Sequence, residues 1–142
     1  YQAGYLKRKP KPSTRKVQSS GPDRYLSKDG ITILVGRSNR QNDYLTFRLA
    51  GPNHLWLHAR NAAGSHVAVL AEGEIPQETL LAAAQLAAYF SQSRRSPKVD
   101  VDYTLRKHVR KPKGAAPGYV HYDKARTITV NPTDFTMPEK QN

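Results

Sequence analysis

Short runs in which apolar residues recur at every second position dominate the central part of the chain. The first contains Ile31, Ile33 and Val35, which alternate with Thr32 and Leu34, and it predicts a strand that ends at Gly36. Similar runs predict strands over 55–60, 65–71 and 99–103, with residues 61–64 as a turn. The runs 119–122 and 127–130 flank a polar segment, which predicts a hairpin between them.

A longer pattern indicates one main helix over about residues 76–95. Pro76 suits the first helical position, where its missing N–H is not needed, and Glu78 suits the positive end of the helix dipole. Leucines, alanines and a phenylalanine recur at helical spacing and supply a buried side. Pro97 ends the pattern, so the helix is expected to stop before it.

A second, shorter helix is predicted over about 43–49. Asn42 or Asp43 could cap it, and Gly51 followed by a proline would stop it. A strand is the alternative for this segment, because it contains the β-favouring residues Tyr44, Thr46 and Phe47.

These elements predict an α+β fold, a single domain with a mostly antiparallel sheet of about six strands. A chain of 142 residues accommodates one such domain plus a tail. We place the domain at 26–132, preceded by a basic flexible linker over 1–25 and followed by a C-terminal tail over 133–142 that is expected to be frayed.

The charge balance narrows the range of partners. The net charge is +12 and the sequence pI is about 10.1, which favours a polyanionic partner. Nucleic acid is the leading candidate, ahead of an anionic membrane surface or an acidic polysaccharide, and a merely soluble basic protein is the alternative. The cations concentrate in residues 1–24 and 94–126. The chain has no cysteine, so disulfides, thiolate metal sites and a cysteine nucleophile are excluded.

The segment GRSNRQND, residues 36–43, is the densest polar run. Arg37 and Arg40 offer guanidinium forks that suit phosphates or base edges. Asn39, Gln41 and Asn42 can both donate and accept hydrogen bonds, as base edges require. A capped polar loop explains the same spacing without any ligand.

A second basic segment spans 105–118. Its cations are interrupted by prolines and glycines, so it is expected to form a loop that can follow a phosphate backbone. The residues concerned are Arg106, Lys107, Arg110, Lys111, Lys113 and Gly114. A solvated charged loop is the alternative. Any exposed ring nearby, among Trp56, Tyr103, Tyr119 and Tyr122, could stack on a base.

No catalytic set of residues emerges. His58 and His66 lack the further ligands that zinc would need, and packed strand histidines or contacts to nucleic acid explain them better. Asp100 and Asp102 alternate along one strand and are expected on its solvent face. We therefore expect no enzyme, no metal and no cofactor.

Three motifs, in order, resemble the NFACT-R domain of bacterial ribosome quality-control proteins, which are also known as fibronectin- or fibrinogen-binding proteins. They are DGITILVGRSNRQNDYLTFRLA at 29–50, LWLHARNAAGSHV at 55–67 and VDYTLRKHVRKPKGAAPGYVHY at 101–122. Residues 4–16 resemble the basic tract that follows a coiled-coil region in that family. Because the sequence begins at Tyr1, we interpret it as a fragment or a processed product that lacks this region.

The resemblance implies RNA binding to tRNA or to RNA of the large ribosomal subunit, in a cytoplasmic factor that has further domains and no membrane attachment. It also implies support of template-free alanine tailing of stalled nascent chains. The motifs carry over these site residues: Arg37, Asn39, Arg40, Gln41, Asn42, His58, His66, Lys107, Lys111, Lys113 and Gly114. Two departures are mild, since Ser38 stands where asparagine is common and Ala63 where proline often is. Two alternatives remain open: a surface adhesin module for fibronectin or fibrinogen, and an enzyme acting on nucleic acid.

Overall fold

The structure, a computed structural model, describes residues 21–142, and its main element is a seven-stranded antiparallel sheet. The predicted linker therefore falls largely outside the described residues. In chain order its strands are β1 (Asp23–Leu26), β2 (Thr32–Val35), β3 (Leu55–Ala59), β4 (Val67–Val69), β5 (Val99–Leu105), β8 (Arg126–Val130) and β9 (Glu139–Lys140). In spatial order the sheet is β8-β5-β3-β4-β2-β1-β9. A separate two-stranded ribbon pairs β6 (Val109–Arg110) with β7 (His121–Tyr122). The predicted α+β class is confirmed.

One face of the sheet packs against the main helix, α2 (Gln77–Tyr89). Its contact side is built from small residues, because Ala83, Ala84, Ala87 and Ala88 are all fully buried. Side chains alternate across a strand, so Leu57 and Ala59 of β3 face this helix while Trp56 and His58 face the other way. Most of the hydrophobic core lies in this layer.

The helix ends at Tyr89, several residues before the predicted end near residue 95. Phe90 leaves the helical conformation, and Ser91 pairs with Gly64 in an isolated bridge. The Ser91 hydroxyl also donates to the carbonyl of Ala88 at 2.8 Å. A side-chain hydroxyl thus provides a hydrogen-bond donor to a carbonyl in the last turn of the helix. The apolar periodicity of the sequence could not indicate this helix end.

The opposite face of the sheet is covered by a shorter helical segment. It consists of α1 (Asn39–Tyr44) followed by a π-helical turn (Leu45–Leu49). The strand alternative is wrong here, and the helix begins earlier than predicted because Ser38 caps it, accepting from the backbone N–H of Gln41 at 3.1 Å. Most of the polar segment 36–43 is therefore helix rather than loop. Leu45 packs on Leu34 and Ala68 of the sheet.

The hairpin predicted between 119–122 and 127–130 is wrong. β8 pairs with β5 along its full length, from Val99↔Val130 to Tyr103↔Arg126. β7 pairs instead with β6, matching Val109 with Tyr122 and Arg110 with His121. The two runs belong to different faces: Ile128 and Val130 join the core beneath α2, whereas the Tyr122 ring packs on Trp56, 5.0 Å between centroids.

The segment expected to fray after Pro132 contributes the last strand. β9 pairs with β1, and the backbone N–H of Gln141 donates to the carbonyl of Arg24 at 2.7 Å. Phe135 lies beside Tyr89, with ring centroids 6.0 Å apart. The chain end thus covers the β1 edge of the sheet, which would otherwise be open to pairing with another chain.

The alanine side of α2 should not tolerate a larger residue. We expect Ala87→Leu to lower the free energy of unfolding by about 1–3 kcal/mol, because there is no room between helix and sheet. Leu81→Gln, on the exposed side of the same helix, should change it by about 0.5 kcal/mol or less. Denaturant unfolding of the two variants and the wild type measures both effects, and equal shifts would contradict the close packing.

Candidate nucleic-acid interface

A buried hydrogen-bond chain runs through His66 and joins four segments of the protein. Trp56 Nε1 donates to the Thr46 hydroxyl at 3.0 Å, and that hydroxyl lies 2.8 Å from His66 Nδ1. His66 Nε2 lies 3.1 Å from the backbone carbonyl of Gly118. Trp56, Thr46 and His66 are buried. The hydrogen-bond chain therefore connects four segments away from water: β3, the π-helical turn, the start of β4 and the basic segment.

The partners fix the protonation of His66. A carbonyl can only accept, so Nε2 carries the proton and Nδ1 accepts from Thr46. Burial, followed by the neighbouring His58, lowers the pKa of His66 to about 4, from an ordinary value of 6.5. The imidazole is therefore neutral at physiological pH and serves as a structural link.

A second link fastens the basic segment to α1. The Lys111 ammonium donates to Asp43 at 3.1 Å and to the carbonyls of Ala116 and Tyr119 at 2.9 and 3.1 Å. The same Asp43 oxygen accepts from the backbone N–H of Gly118 at 2.9 Å. All three ammonium protons of Lys111 are used in holding the loop. We call this set of contacts the Asp43–Lys111 clasp.

Two glycines are required where a Cβ would meet an asparagine of α1. Gly118 has φ +85°, and a Cβ there would lie 2.7 Å from Asn39 Oδ1. A Cβ on Gly36 would collide with the side chain of Asn42. Asn42 is buried, and its Oδ1 accepts from the backbone N–H of His66 at 3.0 Å. These close contacts place the start of α1 directly over β4.

Two of the predicted arginines also brace the fold. Arg106 Nε donates to the carbonyl of Thr46 at 2.7 Å, with its guanidinium 4.8 Å from the Phe47 ring centroid. Arg37 lies 3.2 Å from Asp23 and 4.1 Å from the Phe90 ring centroid. Both guanidinium groups are therefore held by contacts within the protein.

The exposed side of the helical segment carries a different set. Arg40, Tyr44 and Arg48 are spaced four residues apart and are all exposed, so they form one stripe. The Tyr44 side chain is 51% exposed. Neither arginine has an ion-pair or hydrogen-bond partner among residues 21–142. Two free cations therefore flank an exposed ring.

The basic segment adds further exposed cations beside this stripe. Lys107 and Lys113 are exposed, and their side chains make no hydrogen bond or ion pair within the described part of the chain. Arg110 has only a loose pair with Asp123 at 3.5 Å, and both side chains are more than half exposed. Gly114 lies exposed at the tip of the loop. We call the exposed cations together with the two exposed tyrosines the basic face: Arg40, Arg48, Lys107, Arg110, Lys113, Tyr44 and Tyr119.

The structure thus divides the predicted site residues into two groups. Arg37, Gln41, Asn42, His66, Arg106 and Lys111 hold the fold, whereas Asn39, Arg40, Lys107, Arg110, Lys113 and Gly114 are accessible. His58 is half-buried, its ring stacked on Trp56 at 5.9 Å, and burial lowers its pKa.

Contrary to the prediction from the sequence, Asp100 and Asp102 are not both exposed to solvent. Asp102 is buried and accepts from Tyr122 at 2.6 Å and from Thr127 at 2.7 Å, while Asp100 remains exposed. Burial alone would raise the pKa of Asp102, but these hydrogen bonds and Arg60 outweigh it and lower the pKa. Over the described ranges, no cluster of three or more His, Asp or Glu side chains could hold a metal ion.

Comparison with known proteins shows the family of the chain. A profile of the family described as the NFACT protein RNA binding domain matches residues 23–124. The chain belongs to this family. The resemblance seen in the sequence motifs is thereby confirmed.

Individual relatives cover nearly the whole chain. Rqc2 homolog RqcH of Bacillus subtilis (strain 168) is 45% identical over 135 residues, 94% of this chain and 24% of that protein. Rqc2 homolog RqcH of Streptococcus suis (strain 05ZYH33) is 45% identical over 134 residues, with the same coverage of 94% and 24%. A solved structure of the C-terminal part of the fibronectin/fibrinogen-binding protein from Streptococcus suis has a TM-score of 0.78 at 43% identity, covering 94% of this chain and 53% of that one. This NFACT-R chain thus spans about a quarter of the length of these curated relatives.

Sequence reasoning missed several residues of the site. Thr46, Asp43 and Gly118 were not expected to connect the two polar segments, and Tyr44 was not expected at the surface. The helical spacing of Arg40, Tyr44 and Arg48 could have revealed the stripe, had the helix been placed from Ser38. No helix in the range 21–142 combines the length and apolar character needed to cross a bilayer.

Removing the Thr46 hydroxyl should weaken the buried chain without changing its shape. Thr46→Val leaves Trp56 Nε1 and His66 Nδ1 without their shared partner, so we expect a loss of about 1–3 kcal/mol in unfolding free energy. Thr129→Val on the exposed edge strand is the matched control and should cost about 0.5 kcal/mol or less. Thermal and urea unfolding followed by Trp56 fluorescence would show the difference, and similar costs for the two variants would argue against the chain.

The lowered pKa of His66 predicts a dependence of stability on pH. The unfolded imidazole takes up a proton near pH 6.5, whereas the folded one does so only near pH 4. The stabilisation is therefore complete above about pH 6.5 and is lost as the pH falls towards 4, by about 3 kcal/mol. His66→Gln should flatten the profile of unfolding free energy between these values, while His121→Gln, at an exposed position, should not. An unchanged slope in His66→Gln would show that other groups cause it.

Proposed function

We propose that this domain binds RNA through the basic face, by contacts to phosphates, and carries out no chemistry itself. The single observation behind the proposal is the set of exposed cations on α1 and the adjoining loop that have no partner within residues 21–142. The segments 37–50 and 105–122 contain eight arginines and lysines against one acid, Asp43, which the clasp already neutralises. Unpaired cations of this kind attract a phosphate backbone and release its counterions on binding.

Membership of the NFACT RNA binding domain family supports the same ligand class. The two Rqc2 homologs suggest the context, ribosome quality control. We infer that the RNA is tRNA or RNA of an obstructed large ribosomal subunit, and that the domain supports template-free alanine tailing of the stalled chain in the cytoplasm. Tethered to the other domains of a full-length protein, it would position RNA for the ribosome, which performs the peptide transfer.

Within this proposal, residues 26–132 form the RNA-binding unit and residues 1–25 connect it to a coiled-coil region. Residues 133–142 follow this unit, and their strand β9 pairs with β1 at the edge of the sheet. The basic linker would add phosphate contacts or act as a spacer.

A second candidate follows from the name of the structural relative, a fibronectin/fibrinogen-binding protein. Adhesion would use a protein ligand, and its binding would not require the phosphate charges of RNA. Binding of immobilised fibronectin or fibrinogen by the wild type, measured beside RNA binding, separates the two.

Charge reversal on the basic face should weaken RNA binding. We expect Arg40→Glu and Lys113→Glu each to reduce the affinity for tRNA. Each should also make the salt dependence shallower: the negative slope of the logarithm of the association constant against the logarithm of salt concentration should shrink in magnitude by about one or more. Lys28→Glu is the matched control, because Lys28 lies in the β1–β2 turn beside α2, where Thr79 bonds Ser27 at 2.8 Å. Fluorescence anisotropy over a salt series measures these effects. Equal losses in all three variants would mean that only net charge matters, and a salt-independent wild type would exclude phosphate binding.

A further inference from the structure

Two exposed rings, one on β7 and one just before it, are not used by the proposed phosphate contacts. The Tyr119 side chain is 56% exposed and His121 is exposed beside it. Their ring centroids are 5.4 Å apart, and the Tyr119 hydroxyl lies 3.2 Å from His121 Nε2. The two rings orient each other at the surface.

The two faces of the β6–β7 ribbon carry different side chains. Residues opposite each other in an antiparallel pair lie on the same side, so Val109 and Tyr122 face inward while Arg110 and His121 face outward. Val109 is buried, and the Tyr122 ring rests on Trp56. The inner side is therefore fixed in the core, and the outer side presents rings next to a cation.

The backbone on either side of the Tyr119 ring is held firmly. Within the clasp, Lys111 donates to the Tyr119 carbonyl and the Gly118 N–H donates to Asp43. The Gly118 carbonyl accepts from His66. A ring displayed on a fixed backbone loses little freedom when a flat ligand stacks on it, so less binding energy is spent on ordering.

We propose that Tyr119 and His121 form a stacking site for an unpaired nucleotide, with Arg110 and Lys113 contacting the adjoining phosphates. This inference rests on the proposed RNA binding and specifies its substrate class. An exposed aromatic ring beside cations suits a base whose face is free, as in a single-stranded segment or loop. Within a continuous duplex the base faces are already stacked and cannot reach the ring. The domain should accordingly prefer single-stranded RNA to a blunt duplex of equal length.

The test compares two RNA probes, a single-stranded oligonucleotide and a perfect duplex of the same length, with the full chain. We expect Tyr119→Ala to weaken single-strand binding about fivefold or more and to leave duplex binding unchanged. The conservative variant Tyr119→Phe keeps a ring and should restore most of the lost affinity. Leu81→Gln, an exposed change on α2 across the sheet, should bind both probes as the wild type does.

Each outcome decides a separate point. Equal loss on both probes, or failure of Tyr119→Phe to restore binding, would overturn stacking while leaving phosphate binding in place. If the wild type binds neither probe at low salt, the proposed RNA binding fails and the stacking site with it. Should Tyr119→Ala lose its native melting transition, His121→Ala gives the same comparison, because its ring is exposed at the other half of the site.

Discussion

The hydrogen bond from the neutral His66 ring to the carbonyl of Gly118 is the contact on which the rest of the site depends. It joins the start of a central strand to the loop that connects β6 and β7. The other ring nitrogen accepts from Thr46, which leaves the ring proton on the nitrogen that faces Gly118, and the Thr46 hydroxyl itself accepts from Trp56. This buried chain and the Asp43–Lys111 clasp together determine where the basic segment lies. A buried polar chain is stable only when every member has its partner.

This internal anchoring separates the cations into two kinds with different physical roles. Lys111 and Arg106 donate to groups within the protein, so part of their hydration has already been replaced by fixed oxygen atoms. Arg40 and Lys113 are exposed and have no hydrogen-bond or ion-pair partner within residues 21–142, so their charge is available to an incoming anion. The structure thus uses some basic residues to hold the loop in place and leaves others free on the resulting surface. A variant of the first kind should act on stability and a variant of the second on affinity.

Much of the fold could be predicted from local pattern. The strands around Ile33, Leu57 and Val101 lie where their apolar runs predict them, and α2 follows the spacing of its leucines and alanines. The failures arose where a distant partner decides the outcome. β7 pairs with β6 because Tyr122 packs on Trp56, and α2 stops early because Ser91 meets Gly64. Neither contact can be predicted from the local sequence, since both depend on residues far apart in the chain.

The same limit explains why the site was predicted as a list of residue types rather than as a surface. From the sequence, Lys111 and Lys113 look equivalent, two lysines on either side of a proline. Only the three oxygen atoms around Lys111 distinguish them, and these come from Asp43 and two carbonyls brought together by the fold. A dense basic motif therefore predicts the class of ligand, because total charge decides attraction. Which cations meet the ligand depends on which of them the protein has already satisfied, and that is a property of the folded hydrogen-bond network.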